Sequence, residues 1–135
     1  MNPLVADFRA GLSAGELLIQ RCQSCGNAQM YPRYRCTACQ SAELGYVRSS
    51  GRGVLLSYTV IRAVPPRGFE ADLPYALGVV RLEEGVQLLG RLAPGGNGGD
   101  WEGYACDTPV EFAPAGPEEI ERRPVAWFRA AAAAV

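Results

Sequence analysis

The sequence predicts a mainly β protein: a short N-terminal helix, a ribbon clamped by four cysteines, and a barrel of five short strands. Two observations carry this expectation. Cys22 and Cys25, then Cys36 and Cys39, form two Cys-x-x-Cys pairs with ten residues between them. Beyond residue 44 the chain alternates β-branched and aromatic runs with glycine and proline breaks, and helical periodicity is scarce. A chain of 135 residues has room for one ordinary domain or two very small ones. Its 48% apolar and 20% charged residues are a globular composition rather than a disordered one.

The helix is read from residues 4–14, where Leu4, Val5, Phe8 and Leu12 recur at helical spacing and Gly11 or Gly15 supplies a stop. Glu16 to Arg21 reads as a strand leading into the first cysteine pair. Gly53 to Arg62 is strand-forming, and Pro65-Pro66-Arg67-Gly68 ends it and opens a loop to Pro74. Tyr75 to Leu82 and Val86 to Leu92 flank Glu83-Glu84-Gly85, which marks a hairpin whose two acids read as solvated turn residues. Residues 94–99 form a glycine-rich loop, and Val110 to Ala113 and Pro124 to Arg129 are the remaining strands. Small all-β domains manage their edges by closing, so an OB-type barrel is expected over residues 47–129. It would follow a lead segment (1–20) and a ribbon (21–46) and precede a frayed tail (130–135).

A two-residue gap lets one tight turn aim two sulfurs at a single ion. Gly26, directly after Cys25, tolerates the positive φ such a turn needs. Two turns facing each other give four-sulfur tetrahedral coordination, the closed arrangement of structural zinc. The same ligands would serve iron in a rubredoxin-like centre, but zinc is the expected ion. Two disulfides would require an oxidising compartment. No apolar stretch approaches the ~20 residues needed to cross a bilayer. Residues 1–20 carry Asp7, Arg9 and Glu16 without an apolar segment, so the expected location is the cytoplasm. The fifth cysteine, Cys106, stands alone and reads as a small buried apolar residue.

Charge is sorted along the chain although the net value is only −1. Residues 21–67 carry seven arginines and one acid, a balance of +6, whereas residues 68–135 carry a balance of −6. The basic stretch suits an anionic ligand or an acidic partner surface, and arginine grips phosphate through a planar fork. There is no histidine and no lysine. Ser-His-Asp and Cys-His catalysis and lysine Schiff-base chemistry are therefore excluded for this chain alone.

The ordered motifs bear a family resemblance. Gly11-Leu12 to Gly15-Glu16-Leu17, Gln20 to Gly26, Tyr31-Pro32-Arg33 and Cys36 to Ser41 are its first half. Ser50-Gly51-Arg52-Gly53, Ser57 to Val60, Pro74-Tyr75, Leu88-Leu89-Gly90 and Trp127-Phe128-Arg129 complete it. From Phe8 to Phe128 the chain resembles the zinc-ribbon/OB-fold family of acyl-CoA-associated proteins, long catalogued as a domain of unknown function. It departs from the family's usual pattern in carrying Thr37, rather than proline, after the third cysteine.

The resemblance implies a non-catalytic accessory subunit of a thiolase-superfamily enzyme: a β-ketothiolase, acyltransferase or retro-aldolase acting on CoA thioesters. Steroid side-chain removal, aromatic breakdown and the archaeal mevalonate route are pathways of this kind. The ribbon and helix would dock on the partner and the barrel would border the CoA channel. Arg33 and Arg35 are the candidates for phosphate or partner contact, with Tyr58 and Tyr75 as apolar contacts. The alternative is a single-stranded nucleic-acid binder, since OB barrels bind strands through basic grooves and stacking aromatics. Four thiolates around Zn²⁺, an acidic barrel half and a pI near 5.5 weigh against it.

Overall fold

In a computed structural model, which describes residues 3–94, 101, 104–115, 117–122 and 125–130, the chain is mainly β with an N-terminal helix and a five-stranded barrel. Helix α1 spans Pro3–Ser13. Phe8 and Leu12 lie on its buried face, at 8% and 0% exposure. Gly15 ends it, not Gly11. With Gly15 at φ 80°, its N–H donates to the Leu12 carbonyl and the Glu16 N–H to the Gly11 carbonyl, the paired bonds of a Schellman stop. Gly11 stays inside the helix, where an added Cβ would lie 2.8 Å from the Leu18 side chain.

The cysteine segment is built on a three-stranded antiparallel sheet in the order β2-β1-β3, with β1 Leu18–Cys22, β2 Ala28–Gln29 and β3 Leu44–Arg48. Strand β1 pairs across its whole length with β3, Leu18 opposite Arg48 and Cys22 opposite Leu44. The expected lead strand is thus present but shifted. It runs through the first cysteine, because pairing with β3 carries the ladder that far.

The barrel closes in the order β4-β5-β6-β8-β7, with β4 Arg52–Ile61, β5 Tyr75–Leu82, β6 Gln87–Leu92, β7 Pro109–Phe112 and β8 Trp127–Ala130. Strands β6 and β8 run parallel, Arg91 opposite Trp127, and every other pairing is antiparallel. A bulge between Leu55 and Ser57 bends β4, the longest strand. Gly53 lets β4 and β5 approach: a Cβ there would run into the Arg81 carbonyl. Gly53→Ala is therefore expected to lower stability by about 1–3 kcal/mol, the usual range for overpacking, measured as a lower urea midpoint.

A six-residue helix, α2 (Pro117–Arg122), stands where no element is expected from sequence; of the strand expected from Pro124, Trp127–Ala130 forms β8, and Pro124 itself lies outside the described residues. Helix α2 is too short to show a period, but it buries Ile120 at 2% exposure. One apolar cluster runs from Phe8, Leu12 and Ile19 through Leu55, Val80 and Leu92 to Ile120 and Phe128, so helix, ribbon sheet and barrel share a core. The glycine-rich loop at 95–99 and the tail at 131–135 lie outside the described residues. Among the described residues no helix is long and apolar enough to cross a membrane.

Candidate metal centre and its surroundings

The two Cys-x-x-Cys turns are built alike. Gly26 N–H donates to the Cys22 carbonyl and Gln40 N–H to the Cys36 carbonyl, each at 2.9 Å. Cys22 N–H reaches the Asn27 carbonyl and Cys36 N–H the Ser41 carbonyl, at 2.8 and 2.9 Å. Each turn closes on a residue with positive φ, Gly26 at 80° and Gln40 at 64°. The second turn therefore imposes on a side-chain-bearing residue a conformation that suits glycine. Ser24 and Ser41 hydroxyls lie 3.0 Å apart and link the turns at their outer edge.

All four sulfurs lie within 4.8 Å of one another. Cys22 to Cys39 and Cys25 to Cys36 are each 3.6 Å. A zinc–sulfur bond of ~2.3 Å places tetrahedral ligands ~3.8 Å apart, whereas a disulfide needs ~2.05 Å. The donor set and its spacing fit a four-thiolate ion. Cys22 and Cys36 are buried and Cys25 and Cys39 exposed, so each turn supplies one inner and one outer ligand.

Backbone dipoles prepare the inner sulfurs for negative charge. The Cys39 N–H, helped by that of Ala38 against a burial penalty, lowers the Cys36 thiol to about 6. Cys22 is lowered in the same way, chiefly by the Cys25 N–H. At Cys39 the Ser41 N–H pulls downward, but neighbouring sulfurs, Cys22 first, together push the thiol up to about 12. Crowded thiols cannot all ionise without a cation among them, and a bound dication removes that conflict.

Two buried glutamines, which sequence reading did not single out, brace the loop between the turns. Gln20 Oε1 accepts from Gln29 Nε2 (2.9 Å) and Arg33 N–H (2.8 Å), while Gln20 Nε2 donates to the Arg33 carbonyl (3.0 Å). Gln29 Oε1 accepts from the Thr37 N–H at 2.9 Å, next to Cys36. Their signal was present, a polar residue at an inward β1 position, but burial of a lone glutamine is invisible without the pairing. Gln20→Leu strands these partners. It is expected to cost ~1–3 kcal/mol per group left unsatisfied and to speed zinc loss to a chelator, followed by a colorimetric release assay.

The loop also meets the barrel, where the Leu89 N–H donates to the Tyr31 hydroxyl at 2.7 Å. The linker from ribbon to barrel is held by the hairpin acids; Glu83 is exposed, as expected, whereas Glu84 is half-buried. Ser49 Oγ and Ser50 N–H donate to Glu84, each at 2.9 Å, and Ser50 Oγ lies 3.0 Å from Glu83. The hairpin folds back onto the linker, so local turn chemistry did not decide their surroundings.

The four expected contact residues divide between the two parts. Arg33 and Arg35 are exposed on the loop between the cysteine pairs, and Arg35 Nη1 donates to the Gln40 carbonyl at 3.0 Å. Tyr58 is 36% exposed on β4, with its hydroxyl donating to the Tyr104 carbonyl. Tyr75 is only 3% exposed, packed by Phe69 and Arg91, and so belongs to barrel packing rather than to an apolar contact surface. Its ring lies on the face of β5 opposite the core residues Ala76, Val80 and Leu82, and Phe69 and Arg91 cover it there. Cys106 is exposed, not buried, because the turn through Asp107 (φ 68°) carries it outward.

Comparison with known proteins agrees with this two-part plan. Residues 9–45 match the family model for the ChsH2 rubredoxin-like zinc ribbon domain, and residues 46–114 match that for the ChsH2 C-terminal OB-fold domain. Over 107 residues the chain is 37% identical to the 3-oxo-4,17-pregnadiene-20-carboxyl-CoA hydratase alpha subunit of Mycobacterium tuberculosis, covering 78% of this chain and 32% of that one. It is 33% identical over 73 residues to a DUF35 domain-containing scaffold protein of Methanocaldococcus jannaschii, covering 53% and 51%. The matches thus span about half, or less, of these curated relatives. A solved chain described as "Ltp2-ChsH2(DUF35) aldolase" superposes with a TM-score of 0.76 at 27% identity, covering 98% of both chains.

Proposed function

Because the chain belongs to the ChsH2/DUF35 family, which joins a rubredoxin-like zinc ribbon to an OB-fold domain, we propose that it is a non-catalytic accessory subunit of a thiolase-superfamily enzyme. The partner would be a β-ketothiolase, acyltransferase or retro-aldolase acting on acyl-CoA thioesters, and the subunit would support its assembly and CoA binding. The observation that carries this reading is the end-to-end likeness to a chain of the Ltp2-ChsH2(DUF35) aldolase. Residue chemistry supports it, since a chain without histidine or lysine lacks the commonest proton-transfer and Schiff-base groups.

In this reading Cys22, Cys25, Cys36 and Cys39 hold zinc with no open position, so the ion cross-links the ribbon and takes no part in turnover. The ribbon (21–46) and the lead segment (1–20) form the docking unit and the barrel (47–129) flanks the CoA site. Arg33 and Arg35, which are exposed, would meet CoA phosphates or acidic partner residues. Co-expression with a thiolase-type enzyme from the same genome is expected to yield one co-eluting complex whose thioester activity needs both chains. A chain that stays apart from every such enzyme and leaves its activity unchanged would refute the assignment.

A further inference from the structure

In the loop between the two cysteine pairs, Tyr34 stands open to solvent at 70% exposure, with exposed Arg33 and Arg35 on either side. An exposed tyrosine is ordinary by itself. Here, however, two buried amides grip the backbone on both sides of the ring. Gln20, at 4% exposure, accepts from the Arg33 N–H at 2.8 Å and donates to the Arg33 carbonyl at 3.0 Å. Gln29, at 5% exposure, donates to the Arg35 carbonyl at 3.3 Å and to Gln20 Oε1 at 2.9 Å. The Arg35 guanidinium is tied in turn to the Gln40 carbonyl. An outward Arg-Tyr-Arg run is thus held in one course before anything binds it, which lowers the ordering cost of binding.

We infer that Tyr34 anchors a protein–protein contact, entering an apolar pocket on a partner while Arg33 and Arg35 meet carboxylates at the pocket's rim. Tyrosine and arginine are the side chains that most often dominate interface energies. Charge selects the occupant: residues 22–42 contain no carboxylate, so the run presents one sign and suits an acidic protein surface. Shape separates a protein from a small anion. Hollows of about 680, 430 and 280 Å³ lie elsewhere and are lined by other residues, whereas small ligands take concave sites. Tyr31, 47% exposed, accepts from the N–H of Leu89, itself 45% exposed, so apolar side chains are also open where the loop meets the barrel. Under the subunit role proposed above, on which the choice of partner rests, the acidic surface belongs to the thiolase-type enzyme.

Zinc-loaded native chain, Tyr34→Ala and Arg33→Glu are each titrated by calorimetry into the enzyme that co-elutes with the native chain. The alanine variant should keep its zinc and its thermal midpoint, because the ring it removes is exposed. It should weaken the complex by about 30-fold. Arg33→Glu leaves the backbone grip in place and should weaken the complex by about tenfold, an effect that shrinks at high salt. In the isolated ¹⁵N-labelled chain, the amide resonances of Arg33, Tyr34 and Arg35 should ignore millimolar coenzyme A and a short oligothymidylate. Unchanged affinity in Tyr34→Ala overturns the inference, as do resonances that follow coenzyme A or the oligonucleotide. If Tyr34→Ala loses zinc, unchanged affinity in Arg33→Glu overturns it instead. A native chain that binds its enzyme as tightly as both variants do keeps the subunit role and loses this contact. A native chain that binds no such enzyme loses both.

Discussion

Replacing Cys36 with serine is expected to reduce bound zinc from about one equivalent to nearly none and to unravel the ribbon. Cys36 is the buried member of its turn, 2% exposed, and its sulfur receives the Ala38 and Cys39 N–H groups at 3.3 and 3.5 Å. Serine keeps the volume but offers a hydroxyl that does not ionise near neutral pH. The affinity loss should exceed the ~10–100-fold typical of outer partners of a metal ligand. Atomic emission on the purified variant gives the stoichiometry, and loss of thermal cooperativity reports the ribbon. Cys106→Ser is the matched control, because that thiol is exposed and outside the cluster, and it should leave zinc content unchanged. For the native chain, lowering the pH favours metal release, since each ligand thiolate must regain its proton.

Arg91→Met is expected to destabilise the barrel by about 3–5 kcal/mol, the range for removing one member of a buried ion pair. The Asp72 side chain is 7% exposed and would lose the guanidinium 3.2 Å away. The substitution also abolishes both cation–π contacts, to Tyr75 and Trp127. Methionine fills a similar volume, so the loss measures charge and hydrogen bonding more than a cavity. Chemical denaturation would show it as a lower midpoint at an unchanged slope. An effect below ~1 kcal/mol would mean that the pair is solvated in solution and that its burial is overstated.

The metal quartet was legible because its signal is local. A Cys-x-x-Cys turn brings its two sulfurs together through backbone geometry alone, and the second pair needs only a hairpin to reach the first. Strands such as Tyr75–Leu82 were legible for a similar reason, as composition and flanking turns repeat the same message. Helix α2 was not, because six residues carry less than two turns of periodicity. Tyr75 looked like a contact aromatic because composition cannot show that Phe69 and Arg91, from distant segments, cover its ring. Glu84 looked solvated because its partners, Ser49 and Ser50, lie more than thirty residues away.

By itself the sequence determined the ligand set, the strand-rich architecture after residue 44 and the absence of histidine and lysine chemistry. Each of these follows from spacing or composition within a short window. Only the tertiary structure decided which polar side chains are buried and what they meet. It enclosed Gln20 with Gln29 and laid Arg91 between Tyr75 and Trp127. Those outcomes depend on barrel closure, which brings β6 beside β8 across 34 residues of chain, and a distance of that kind leaves no mark on the local pattern.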